Sequence, residues 1–138
     1  LRGTRHFFAN DPRGKLAAGF ITIDGAGSGL ITTRGVGSRR YRLTFTGPGG
    51  HSYGKFGIVN PRGALAATVT GLYQVPVPAE PRTTYSASVI GGGTSVNTIP
   101  NEVWLEVDIR SEAPAEVERI DAALHDIAAR AVDAVRPL

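Results

Sequence analysis

From residue 39 onward the chain has a regular alternation of apolar and polar positions. Tyr41, Leu43 and Phe45 alternate with arginines and threonines, which is the two-residue period of a half-buried β-strand. The segments TTYSASVIGGG (83–93) and EVWLEVDIR (102–110) predict two further strands. In the last one we expect the apolar face to lie in the core; this face comprises Val103, Leu105, Val107 and Ile109, and the polar face comprises Trp104, Glu106, Asp108 and Arg110.

Two segments have the apolar period of amphipathic helices. Asn60 supplies a capping side chain before Pro61 at the first helical position, and the apolar face that follows is Ala64, Leu65, Val69 and Leu72. Ser111 is the predicted cap of the last helix, with Pro114 in its first turn. The apolar positions of that helix are Val117, Ile120, Leu124, Ile127, Ala131 and Val135.

The order of elements from residue 39 is strand, helix, strand, strand, helix. This order predicts an α+β fold of the ferredoxin-like split βαβ type, an antiparallel sheet with two helices on one face and the last strand missing. Only Arg-Pro-Leu follows the last helix, which is too short for that strand. The open sheet edge is then covered by a strand near Leu30 to Thr33, by a second chain, or by a missing segment.

The first part of the chain has a weaker pattern. HFFANDPRGK (6–15) is typical of a helix end followed by a turn, and AAGFITIDGAG (17–27) and LITTRG (30–35) predict short strands. The glycine-rich region 25–37 is the expected hinge between two bodies. The boundary between the two bodies is therefore expected within this region.

Composition narrows the class of protein. The 138 residues and 41% apolar content suffice for one domain, or one domain plus a piece of another. With no methionine, the chain is expected to be processed or to be a segment of a longer protein. No secretion signal or membrane helix is recognisable, so we expect a soluble, cytoplasmic protein. The net charge of +3 is modest, and the cluster Arg39, Arg40 and Arg42 fits a solvated strand face better than a nucleic-acid interface.

Four polar residues are candidates for chemistry, each with an ordinary alternative. His51, within FTGPGGHSYGKFGIVNP, is either an exposed loop residue or a neutral imidazole that donates a hydrogen bond or acts as a general acid or base. Asn97 fits a turn, Arg110 a solvated ion pair, and Asp24 an Asp-Gly turn. Without cysteine or a His-x-x-x-His pair, the chain alone is not expected to complete an ordinary zinc site.

Three segments carry a family resemblance when taken in order: FITIDGAG, GVGSRRYRLTFTGPGGHSYGKFGIVNP and GGGTSVNTIPNEVWLEVDIRS. Over roughly residues 20 to 135, they resemble the dimetal exopeptidase and amidohydrolase family that includes carboxypeptidase G, peptidase T and aminoacylase. The resemblance implies that residues 35–138 are the lid and dimerisation domain, and that residues 1–34 are the hinge and the tail of a catalytic domain. It also implies a homodimeric parent enzyme with two metal ions, usually zinc, that hydrolyses an amide bond in a peptide or N-acyl amino acid.

The resemblance assigns roles to the same four residues. His51 matches the lid histidine that stabilises the oxyanion in the partner subunit's active site, and Asn97 matches the asparagine that holds the substrate. Arg110 matches the arginine that binds the substrate carboxylate, and Asp24 matches a metal ligand. The other metal ligands and the Glu-Glu pair are absent, so the chain by itself is expected to be inactive. The alternative is a dimerisation and interaction module without a catalytic role.

Overall fold

The computed structural model describes residues 2–23, 29, 31, 33 and 35–137. The chain divides into two compact units, Leu1–Thr32 and Thr33–Leu138. The first unit contains α1 (Arg2–Asn10) and α2 (Pro12–Leu16). The helix end predicted within residues 6–15 is confirmed and lies at Asn10, but the segment predicted as a turn after it contains a short helix. The Asp11 side chain accepts a hydrogen bond from the Arg13 N–H at 2.9 Å and so caps α2.

The two strands predicted within residues 17–35 are wrong for every described residue there. Residues 17–23, 29, 31, 33 and 35 are not in a strand. The apolar side chains Phe20, Ile21, Ile23 and Ile31 are exposed instead of covering a core. A short apolar run forms a strand only where a neighbouring strand and a buried face are available. Asp24 and residues 25–28 of the predicted hinge lie outside the described residues.

The second unit contains the predicted α+β domain. Its elements are β1 (Gly37–Thr46), β2 (Gly50–His51), α3 (Pro61–Leu72), β3 (Thr83–Gly92), β4 (Thr98–Ile99), β5 (Glu102–Ser111) and α4 (Pro114–Ala134). Strand β5 pairs antiparallel with both neighbours, in the order β1, β5, β3. No fourth strand joins this sheet among the described residues; of the predicted strand near 30–33 only residues 31 and 33 are described, and neither is in a strand.

The core lies between the sheet and the two helices α3 and α4. The predicted apolar face of β5 is confirmed, because Val103, Leu105, Val107 and Ile109 are all buried. They pack in one cluster with Phe45 and with the helix residues Ala64, Leu65, Leu72, Val117, Ile120, Leu124 and Ala131. Each fully buried large apolar side chain contributes about 1.5–3 kcal/mol. This cluster therefore holds the domain together.

The sequence predicted the capping residue of α3 correctly but not that of α4. Asn60 caps α3 as predicted, with its side chain accepting from the Arg62 N–H at 3.1 Å. The predicted cap Ser111 is wrong, because Ser111 is the buried last residue of β5 and Ala113 precedes α4. Its hydroxyl instead lies 2.9 Å from the Thr83 hydroxyl and accepts from the Ala113 N–H. Ser111 is still paired in the sheet, so the helix begins later, at Pro114.

Helix α4 packs one face on the sheet and exposes the other. His125 lies on the exposed side, as predicted, with its Nε2 3.5 Å from the Asp121 carboxylate. Among the described residues, no helix is both long and apolar enough to cross a membrane.

Candidate functional site

The candidate site is a small two-stranded ribbon formed by β2 and β4, beyond the end of the main sheet. Gly50 pairs with Ile99 and His51 pairs with Thr98. The Ser52 N–H donates to the Asn97 carbonyl oxygen at 2.9 Å and extends the pairing. The ribbon thus brings together two segments that lie 46 residues apart, including the predicted site residues His51 and Asn97.

Two glycines at the base of the ribbon are needed for its geometry. Gly49 has φ +65°, and a Cβ there would lie 3.3 Å from the Asn101 backbone nitrogen. Gly92 has φ +103°, and a Cβ there would lie 2.5 Å from the Glu102 carbonyl oxygen. Other residues rarely adopt such backbone angles, so glycine is required at both positions.

His51 is exposed, and its ring is held by the turn that follows. Its Nδ1 lies 3.3 Å from the Tyr53 backbone nitrogen and 3.4 Å from that of Gly54, and accepts from both N–H groups. The His51 carbonyl oxygen accepts from the Lys55 N–H at 2.9 Å. The turn from residue 52 to residue 55 therefore orients the imidazole with Nε2 away from the backbone.

Asn97 lies beside His51, with its Nδ2 3.5 Å from the imidazole Nε2. Its Oδ1 accepts a hydrogen bond from the Ser95 hydroxyl at 2.7 Å. The Ser95 hydroxyl also lies 2.7 Å from the Thr98 hydroxyl. Sequence reasoning missed Ser95; the signal was the Ser-x-Asn-Thr spacing, in which short polar side chains bond to one another around a turn.

Large apolar side chains that are close in sequence to these polar groups are exposed to solvent. Tyr53 is 90% exposed and Phe56 is 78% exposed, and both follow His51 in the same loop. Val96, which precedes Asn97, is fully exposed. A single exposed apolar residue is ordinary, but a group of them beside a polar site is typical of a surface that contacts another molecule.

Arg110 does not join His51 and Asn97. It lies near the last residue of β5, paired with Ser38 and Thr84, whereas the ribbon precedes the first residue of that strand. From Glu102 to Arg110 the strand extends about 26 Å at 3.3 Å per residue. Arg110 of one chain and the ribbon of the same chain therefore cannot bind the same small ligand.

Arg110 forms the ion pair that the ordinary interpretation predicted. Its Nε donates to Asp108 Oδ2 at 2.6 Å, and Arg40 donates to the other oxygen of that carboxylate at 3.0 Å. The Arg110 and Arg40 guanidinium groups hold the pKa of Asp108 below its usual value. Among the described residues, Asp108 is the one hydrogen-bond partner of the Arg110 guanidinium group, and the bond is made through Nε.

The rest of this sheet face is a ladder of charges. Arg42 donates to Glu106 at 2.7 Å and lies over the Trp104 ring, 4.2 Å from its centroid. The arginine cluster is thus mainly paired with carboxylates, which agrees with the prediction of a solvated strand face. Arg39 projects to the other side of β1, where it donates to Asp121.

The described residues do not fit a zinc site. They contain no group of three or more histidine, cysteine, aspartate or glutamate side chains that could hold a metal ion. Asp24, the predicted ligand, lies outside the described residues. No catalytic step can therefore be derived through a metal from this chain alone.

An antiparallel sheet with two helices on one face and a ribbon at one end defines an α+β domain. Residues 33–135 match the family model of the M20 peptidase dimerisation domain. The chain belongs to this family, which confirms the resemblance drawn from the motifs. No curated protein matched the chain significantly in sequence.

Solved structures agree with this assignment. A hydantoinase/carbamoylase family amidase from Burkholderia ambifaria is 27% identical, with a TM-score of 0.66, over 75% of this chain and 26% of its own. A putative amidohydrolase/peptidase from Burkholderia cenocepacia is 25% identical, with a TM-score of 0.64, over 73% and 26%. An aminobenzoyl-glutamate utilization protein from Klebsiella pneumoniae shares the fold at 23% identity, with a TM-score of 0.66, over 71% and 25%. The chain spans about a quarter of the length of these structures.

Proposed function

We propose that this chain is the lid and dimerisation domain of a zinc-dependent, homodimeric peptidase or amidohydrolase, and that its ribbon acts at the partner subunit's active site. The reaction is hydrolysis of an amide bond in a peptide or N-acyl amino acid. The observation that carries the proposal is the 3.5 Å approach of Asn97 Nδ2 to His51 Nε2 on an exposed ribbon. Similarity to an amidase and to a putative amidohydrolase/peptidase supports the reaction class.

The proposed role of His51 is to donate a hydrogen bond to the carbonyl oxygen as negative charge develops on it. Asn97 holds the same end of the substrate through its amide N–H. Donors aimed at an oxyanion in a site that excludes water are commonly the largest single contribution to catalysis. In the parent enzyme, two zinc ions held mainly by the catalytic domain, with Asp24 as one ligand, would supply the activation of water.

The position of Arg110 supports a site shared between two subunits. A dipeptide extends only about 7 Å, far less than the length of β5 that separates Arg110 from the ribbon. In a dimer with two-fold symmetry, however, one end of the domain in one subunit can lie beside the opposite end of the domain in the other subunit. We therefore assign Arg110 of one subunit and His51 and Asn97 of the partner subunit to the same substrate, with Arg110 binding its carboxylate through the Nη groups.

Mixed dimers of the full-length enzyme test this arrangement. Neither His51→Ala nor Arg110→Ala alone should be active at a low concentration of a substrate with a free carboxylate. Random pairing of the two variants should recover about a quarter of wild-type activity, because about half of the dimers are mixed and each has one intact site. No recovery would contradict the shared site. Full activity of His51→Ala alone would instead favour a dimerisation module without a catalytic role.

A further inference from the structure

The β2–β4 ribbon is too short to hold its shape by itself. It contains two pairs of facing residues, Gly50 with Ile99 and His51 with Thr98. Even a longer two-stranded hairpin is only marginally stable in water unless it packs against other elements. Contacts between the ribbon and the rest of the domain must therefore determine where His51 and Asn97 lie.

The first segment of the ribbon leaves the sheet at Gly47, directly against the first turn of α3. A Cβ at Gly47 would lie 2.9 Å from Pro61 Cδ and 3.3 Å from the Val59 carbonyl oxygen. Carbon atoms that are not bonded pack at about 3.5–4.0 Å, and the proline ring cannot turn away. Glycine therefore lets the backbone pass along the Pro61 ring, where the Gly47 N–H donates to the Asn101 carbonyl oxygen at 2.9 Å.

The second segment leaves the sheet at Gly92, and the same turn of α3 holds it through Arg62. The Arg62 Nη2 donates to the Gly92 carbonyl oxygen at 2.7 Å. A Cβ at Gly93, where φ is +89°, would overlap that nitrogen, so glycine is needed for the guanidinium group to reach this position. The backbone of Arg62 is itself fixed, because its N–H donates to the Asn60 capping side chain at 3.1 Å.

We infer that the first turn of α3 anchors the ribbon, with Pro61 packed against its first segment and Arg62 bonded to its second, and that Arg62 is a positioning residue for His51 and Asn97. The guanidinium group is always charged, and a charged donor forms a stronger hydrogen bond to a carbonyl oxygen than a neutral one. Arg62 acts through the backbone of the ribbon. Its effect on catalysis rests on the proposed function, whereas the anchoring is a property of this chain.

Amide hydrogen exchange, measured by NMR on this chain, tests the anchor. The Ser52 N–H donates to the Asn97 carbonyl oxygen across the ribbon, so its exchange rate reports how often the ribbon opens. Arg62→Ala should raise this rate about five- to tenfold, as for loss of a hydrogen bond from a charged donor at an exposed position. An unchanged rate at Ser52 would overturn the inference.

Arg119→Ala is the matched control for this measurement. The Arg119 Nη2 also donates to a backbone carbonyl oxygen, that of Pro76 at 2.9 Å, which lies beyond the other end of α3. This variant should leave the Ser52 rate unchanged, and Arg62→Lys, which keeps a charged N–H donor, should bring the rate back toward the wild type. An equal rise in the Arg119 and Arg62 alanine variants would mean that the ribbon opens only with the whole domain, and would overturn the inference.

The contact of the first segment is tested by Gly47→Ala, whose methyl group must push the chain away from Pro61. We expect the Ser52 exchange rate to rise in this variant also. Gly35→Ala is the control, because Gly35 precedes the other end of β1 and a Cβ there has no neighbour within 4 Å. The same Ser52 rate in both variants would show that Pro61 does not anchor the ribbon.

In the full-length enzyme, Arg62→Ala should lower kcat about fivefold, with Arg62→Lys restoring it, because a ribbon that opens more often aligns His51 and Asn97 less often. The anchor and the proposed function fail differently. If hydrogen exchange is as expected but His51→Ala leaves kcat unchanged, the anchor stands and the proposed function is wrong. If His51→Ala abolishes activity but Arg62→Ala leaves the Ser52 exchange rate unchanged, the proposed function stands and the anchor is wrong.

Discussion

The sheet with its two helices and the β2–β4 ribbon are built on opposite uses of apolar side chains. In the sheet–helix body, Val103, Leu105, Val107 and Ile109 are removed from water and packed together. In and around the ribbon, Tyr53 and Phe56 remain in water, and the polar side chains of His51 and Asn97 bond to neighbouring groups. The body is stabilised by burial, whereas the ribbon is shaped by hydrogen bonds and glycines.

This difference indicates where stability and function lie in the domain. Exposed apolar residues contribute little to folding, so their presence in the loops that carry His51 and Asn97 needs another explanation. A surface that contacts a partner subunit or substrate provides one. Substitutions in the body should therefore change the free energy of unfolding, and substitutions in the ribbon should change activity.

The largest effect on stability is expected in the body. Leu105→Ala should lower the free energy of unfolding by about 2–5 kcal/mol, because it leaves a cavity in the packed core. Urea denaturation of this chain measures the change. Val96→Ala, at a fully exposed position of the ribbon loop, is the control and should stay within about 0.5 kcal/mol of the wild type. If both variants lost the same free energy of unfolding, the proposed difference between the sheet–helix body and the ribbon would be wrong.

A smaller effect is expected where the body meets the ribbon. Gly92→Ala combines a positive φ with a Cβ 2.5 Å from a backbone oxygen, so we expect destabilisation of about 1–3 kcal/mol. Gly54→Ala is the matched control, because a Cβ there has no neighbour within 4 Å. Thermal unfolding of both variants separates strain from the general effect of adding a methyl group. The account fails here if the Gly54 variant is the less stable one.

Removing a charge from the solvent-exposed face of the sheet should lower the free energy of unfolding by a smaller amount, and this amount should depend on pH. The pKa of Asp108 is lowered in the folded state by Arg110 and then by Arg40, so its stabilising contribution is present above pH about 4 and is lost as the pH falls through the folded pKa. Asp108→Asn should therefore cost less than about 1 kcal/mol at pH 7 and still less at pH 3. Urea denaturation at both pH values measures this, and a larger cost at pH 3 would contradict the assigned pairing.

The smallest effect on folding is expected at the exposed aromatic side chains of the loop that follows His51. The double change Tyr53→Ser with Phe56→Ser should leave the free energy of unfolding within about 0.5 kcal/mol, because both side chains are exposed. In the full-length enzyme it should weaken dimerisation or raise KM. A cooperative loss of stability in the isolated chain would show that these rings pack in the folded domain.

Most of the body could be predicted from sequence because periodicity reports burial directly. The alternation in 102–110 placed all four core residues of β5, and the Asn60-Pro61 pair placed the start of α3. The same reasoning failed in 17–35, where apolar residues are exposed, and at Ser111, where pairing in the sheet outweighs the capping preference. Local patterns carry no information on whether a strand finds a partner.

The site was only partly predictable for the same reason. The motifs selected His51 and Asn97, but their approach depends on a two-residue pairing between distant loops that no periodicity indicates. The contacts of the Ser95 hydroxyl with Asn97 and Thr98 form within one turn, and no periodicity indicates them either. The sequence also placed Arg110 among the site residues, although the predicted strand 102–110 already separated it from Asn97.

The most direct test of the account is the turnover number of the full-length enzyme with His51→Ala, compared with His125→Ala on the exposed side of α4. Loss of an oxyanion donor should lower kcat by about 100-fold or more. The melting temperature should be unchanged, because His51 is exposed, and His125→Ala should keep wild-type turnover. A His51→Ala enzyme with wild-type kcat, or one that loses activity only because it unfolds, would contradict the claim that the ribbon acts in catalysis.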